Sequence, residues 1–175
     1  FIFEELPQHL LPFDYAAYRR YKGKLEVATT DIERAATIWY DQEGIGEHFM
    51  PVRASSSMPF VAPIVHFEGH ALLDGALMQP IPYQKALDAG YDKLIVVLTR
   101  NAGYRKKKSV PKFLLKTVYK DYPKLWEIME ARPALYNAQL EAVEELERQG
   151  KAVIIRPQLP LTIDKLDIKP HKLLA

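Results

Sequence analysis

Val65-His66-Phe67-Glu68-Gly69-His70-Ala71-Leu72-Leu73-Asp74-Gly75-Ala76 consists of two short apolar runs about a Glu-Gly pair, closed by an acid and a glycine. A two-residue loop with glycine second joins adjacent antiparallel strands, so the stretch predicts a hairpin turning at Glu68-Gly69. That hairpin delivers Asp74 to the end of its second strand. Gly75 admits backbone angles that a side chain forbids, which lets the carboxylate leave the strand sharply at the rim of a core. A partly desolvated acid held by backbone donors can take a proton from a hydroxyl nucleophile in contact with it. The plainer reading of Asp-Gly is a turn in which the aspartate bonds its own backbone.

Working outward, Lys24 to Asp31 and Ala35 to Tyr40 are β-prone and predict neighbouring strands, with Asp31 as a structural cap at a strand end. Phe3 to Leu11 and the stretch from Pro12-Phe13-Asp14 suit short helices, and Glu47 to Ser57 predicts a helix stopped by Pro59. Its Ser55-Ser56-Ser57 tail reads as small side chains for close packing, because none of the three sits in a strained strand-to-helix turn. Tyr83 to Ala89 predicts a helix closed by Gly90. Lys93 to Leu98 predicts a strand buried on both faces, and Ala152 to Ile155 another buried strand. A helix and then a strand after Asp74 favour a parallel crossover and an α/β class. An aromatic helix is expected across Pro111 to Met129 and a second helix across Arg132 to Gln149, ended by Gly150.

At 175 residues, 48% of them hydrophobic, the chain can bury a core, and its formal charge of +2 carries no nucleic-acid signature. It has no cysteine, which excludes disulfides, thiolate metal sites and thiol nucleophiles. His66 and His70 flank the hairpin turn without a third ligand at metal-binding spacing, so no metal or other cofactor is expected. No apolar run is long enough to span a bilayer. A cytoplasmic protein is expected, with peripheral membrane contact through Arg105-Lys106-Lys107-Lys108 and the aromatic helix that follows.

Residues 54–98, with Ala54-Ser55-Ser56-Ser57-Met58-Pro59, Leu72-Leu73-Asp74-Gly75-Ala76, Pro80-Ile81-Pro82 and Ala89-Gly90-Tyr91-Asp92 ahead of the apolar strand, resemble the distal half of the patatin-like phospholipases. Val27-Ala28-Thr29-Thr30-Asp31 and Val153-Ile154-Ile155-Arg156-Pro157 extend the resemblance more weakly. It implies a three-layer α/β/α sandwich with residues 1–175 as the C-terminal portion of one domain. It also implies a dyad in which Asp74 serves as base, with Gly75 and Ala76 completing its motif in the bacterial form. The substrate implied is a phospholipid or another acyl ester.

The eight glycines never form Gly-x-Ser-x-Gly or a glycine-rich oxyanion loop, so no nucleophile is found in this chain. With no initiator methionine at Phe1, the expectation is a later part of a longer hydrolase, inactive alone because a base without nucleophile or oxyanion donors activates nothing. A non-catalytic lipid-surface or protein-binding module on the same scaffold is the alternative. An acid pair of Asp31 with Asp74, as in glycoside chemistry, is a more distant one.

Overall fold

The computed structural model describes residue 3 and residues 5–46, 49–107 and 110–160. The chain forms two compact units, residues 1–80 with 108–135 and residues 81–107 with 136–175. Its class is mixed α/β.

In the first unit, a π-helical turn at Leu6–Leu10 precedes α1 (Tyr15–Arg20), whose first turn is capped by the Asp14 carboxylate accepting from Ala17 N–H at 2.8 Å. Strands β1 (Glu26–Asp31) and β2 (Ala36–Asp41) pair antiparallel, as the β-prone runs predict. Helices α2 (Gln42–Ile45) and α3 (Met50–Ser55) follow. The first part of the helix expected from Glu47 lies outside the described residues.

Next comes the hairpin of β3 (Val65–Phe67) and β4 (His70–Asp74). Its two loop residues both have left-handed backbone angles, Glu68 at φ 49° and Gly69 at φ 75°. These are the angles of the primed turns whose twist matches that of the flanking strands. β4 also pairs antiparallel with β1, with Thr29 opposite Asp74, so the sheet order is β2-β1-β4-β3.

β4 is the strand buried on both faces. Leu72 packs with Tyr40, Ile45, Ala54 and Val65, while Ala71 and Leu73 join Ile32, Leu77, Leu115, Leu125 and Met129. Successive strand residues point to opposite faces, so this single run serves two apolar clusters.

The second unit holds α4 (Tyr83–Asp88), followed by Gly90 at φ 88°, and two strands, β5 (Leu94–Val97) and β6 (Ala152–Ile155). These two pair in parallel, as a crossover through helices requires. Between them in sequence lie α5 (Lys112–Val118), which belongs to the first unit, and α6 (Pro123–Arg148), which begins in the first unit and ends in the second. Two expectations are corrected here. Instead of breaking between Met129 and Arg132, the helix runs through Pro133, and the interruption falls at Tyr119–Tyr122. The strand that ends at Asp74 pairs with β1 and β3 and not with β5.

A third correction concerns burial. Leu94 and Leu98 are buried, and Val96 packs with Ile154, Leu140 and Val143. On the other face Ile95 is 74% and Val97 70% exposed, and their register partners Val153 and Ile155 are exposed as well. The apolar run therefore has one covered face and one open face. Sequence cannot distinguish the two cases, because β-branched residues fill both faces of a parallel strand wherever partners exist for both.

Candidate active site at the end of strand β4

Asp74 is held through its backbone before its side chain is considered. Its N–H donates to Ser57 O at 2.9 Å, and its own carbonyl accepts from Thr30 Oγ1 at 2.9 Å. The carboxylate then caps the short 3₁₀ turn Gly75–Leu77, Oδ1 accepting from Ala76 N–H at 2.8 Å. The Ala76 carbonyl accepts from Arg132 Nε at 3.1 Å, which fixes the far side of the same turn. Among the described residues no group donates to Oδ2, and Asp74 itself is half-buried. The turn reading and the base reading of Asp-Gly are thus compatible: one oxygen makes the turn and the other is available.

Gly75 is needed for a reason other than the expected one. Its backbone angles lie outside the left-handed region. A Cβ at this position would stand 2.1 Å from the Ala28 carbonyl oxygen and 2.6 Å from its carbon, both backbone atoms. The glycine allows the turn after Asp74 to lie directly on β1, which sets where the carboxylate leaves the sheet.

Of the three serines only Ser57 is buried; Ser55 is half-buried and Ser56 exposed. Ser56 Oγ and Ser57 Oγ both donate, at 2.9 Å, to carbonyls one helical turn earlier, at Val52 and Arg53. Ser57 is buried and contributes its carbonyl to Asp74.

Asp31 is the cap it was expected to be, in a denser network. Oδ1 accepts from the N–H groups of Glu33 and Arg34, each at 2.9 Å, and Oδ2 lies 2.7 Å from Arg34 Nη1 and 2.6 Å from His70 Nδ1. Burial pushes this carboxyl upward, but the hydrogen bonds from His70, Arg34 and the two backbone donors outweigh it and hold the group at about 2. With both oxygens engaged, Asp31 is not a free partner for Asp74. His66 is exposed on β3, and among the described residues no cluster of three His, Cys, Asp or Glu side chains is placed to hold a metal ion.

In the second unit Arg105 is committed to Glu144 at 2.8 Å, and Glu144 also binds Arg156 at 2.8 Å. Lys106 N–H donates to Asn137 Oδ1 at 2.9 Å, tying that basic loop to α6. Lys108 lies outside the described residues. Among the described residues one surface hollow of the first unit is lined by Gln8, Ile45, Met50 and Phe67 and another by Tyr18, Gln42 and Glu43; Asp74 lines neither of these. No described helix is long and apolar enough to cross a membrane.

The parts that sequence reading did not find are Thr30, the Ser57 carbonyl and Arg132. Thr30 had a faint signal in the alternation of β1. A backbone carbonyl and an arginine 56 residues beyond its acceptor had none.

The model of a domain of unknown function, DUF6363, matches residues 122–175. No curated protein matches the chain.

Gly75→Ala is expected to cost at least about 2 kcal/mol in urea unfolding, since backbone atoms must shift to admit the methyl group; a loss below ~0.5 kcal/mol would show that the close approach is not required. The Asp31 network predicts an acid limb. Its folded carboxyl titrates below the unfolded one, so its contribution to stability is complete above about pH 4 and is lost as pH falls towards 2. Urea midpoints measured across that window should fall less steeply for Asp31→Asn than for the native sequence.

Proposed function

We propose that the chain is the C-terminal portion of a single patatin-like domain that cleaves acyl esters of phospholipids or related lipids, with a serine supplied by polypeptide outside it. The observation that supports this most is the posture of Asp74: main chain fixed on both sides, Oδ1 occupied by its own turn, and Oδ2 open. A base of this kind needs no histidine. Oδ2 takes the proton of the serine hydroxyl as the oxygen attacks the ester carbonyl, then returns it to the leaving alcohol. In the second half the same oxygen draws a proton from water as water attacks the acyl group, and passes it to the serine oxygen as the acyl–serine bond breaks. Gly75 and Ala76 act through position, the glycine by lying against Ala28 and the alanine by donating its N–H to Oδ1.

The three-layer sandwich is part of this proposal and is favoured by the apolar clusters on both faces of β4. The polypeptide that carries the serine and the oxyanion donors meets Oδ2, and in the second unit the open face of Ile95, Val97, Val153 and Ile155 is where a further layer belongs. A parallel pair with one bare apolar face is half of the arrangement in which such sheets occur. The compartment proposed is the cytoplasm, with contact at the membrane surface. No cofactor enters this reaction.

The test is hydrolysis of a short-chain nitrophenyl ester by a protein extended to include the serine. Asp74→Asn should lower kcat by three or more orders of magnitude, the scale seen when a member of a nucleophile-base unit is removed. Unchanged turnover by a folded variant would rule the base out.

A further inference from the structure

Helix α5 is built for an environment other than water. Its sequence is Lys112-Phe113-Leu114-Leu115-Lys116-Thr117-Val118, and Leu115 is the one residue of it that is fully buried. Phe113 is 72% and Val118 52% exposed, with Leu114 exposed beside them. At about 100° per residue Phe113, Leu114 and Val118 spread over about 140° of the helix with Thr117 among them, and Lys112 and Lys116 lie beyond Phe113.

A second element reaches the end of α5 through the buried Tyr119. Tyr119, just past the end of α5, receives a hydrogen bond at its hydroxyl from Phe60 N–H at 2.7 Å, and the two rings meet edge to face at 5.1 Å. Phe60 is held at φ 67°, a left-handed backbone unfavourable for a bulky side chain. The neighbouring Val61 is 58% exposed.

Charge identifies the occupant. From residue 112 to residue 124 there are four lysines, at 112, 116, 120 and 124, against a single acid, Asp121, with Glu127 and Glu130 following in α6. Lys112 makes one exposed pair with Glu130 at 2.9 Å, and the Lys116 ammonium stands over the Trp126 ring at 5.6 Å. Long lysine stems keep their heads in water while apolar neighbours go deeper, which is how a short amphipathic segment lies in a membrane interface. The position is also apt. The carbonyl of Ser57, which receives the Asp74 N–H, is three residues before Phe60.

We propose that α5 and the Met58-Pro59-Phe60-Val61 loop form a docking surface for anionic lipid, with Phe113, Val118 and Val61 entering the interface and Lys116 and Lys120 facing the headgroups. As the entry side of a lipid hydrolase this rests on the Asp74 reading, but its test does not.

The chain is sedimented with vesicles of phosphatidylcholine containing phosphatidylserine, and with vesicles of phosphatidylcholine alone. The native sequence should bind the anionic vesicles, and binding should weaken as salt is raised. Phe113→Ser/Val118→Ser and Lys116→Glu/Lys120→Glu should each bind at least about tenfold more weakly, with unchanged circular dichroism, because every apolar residue and lysine removed takes part of the attraction. Asp74→Asn should bind like the native chain, so loss of the base and loss of the docking surface read out separately. Equal binding to both vesicle types, binding to neither, or native binding by either double variant would overturn the proposal. Since the two double variants alter different chemistry at exposed positions, one remains informative if the other fails to fold.

Discussion

The approach of Gly75 to the Ala28 carbonyl is the constraint on which the rest of the site depends. With no room for a methyl group between two backbones, the turn after β4 lies flat on β1. Thr30 can then reach the Asp74 carbonyl and Ser57 can accept its N–H. The carboxylate is directed by the main chain of its own turn, which the Thr30 and Arg132 side chains hold in place. Preorganisation of this sort matters for a base, because a group already in place needs no reorganisation when the proton moves.

The sheet makes that contact possible. β4 is hydrogen-bonded on both edges and buried on both faces, so its end can carry a polar residue without drifting. Three consecutive small or branched apolar residues, Ala71, Leu72 and Leu73, divide between two clusters, and Asp74 is the first residue beyond them that reaches solvent. On the neighbouring strand Asp31 does the opposite work. It is buried with every oxygen engaged, ties His70 and Arg34 to the strand end, and is stable as an anion for that reason. Two aspartates on adjacent strands thus have separate roles, set by how many donors each one meets.

Much of this was legible in the residues. The Glu68-Gly69 turn, the pairing of β1 with β2, the glycine stops at Gly90 and Gly150 and the cap at Asp31 all follow from local chemistry that acts within a few residues. What escaped depends on partners distant in sequence. The role of Gly75 looked like a matter of backbone angles, whereas its cause is an oxygen 47 residues earlier in the chain. Which face of β5 is covered depends on Leu140 and Val143, and nothing in Ile95 or Val97 distinguishes a covered position from an open one. The break expected between Met129 and Arg132 is absent because one helix there is held by burial of Ile128, Met129, Leu140 and Val143, which carries it through Pro133.

The central claim is that Asp74 Oδ2 accepts the proton of a serine in contact with it. Fluorophosphonate labelling tests this most directly, since only an activated serine reacts. In a protein extended to include that serine, the native sequence should take up one label on the serine and Asp74→Asn should take up almost none. Equal labelling of the two, with both folded, would contradict the account.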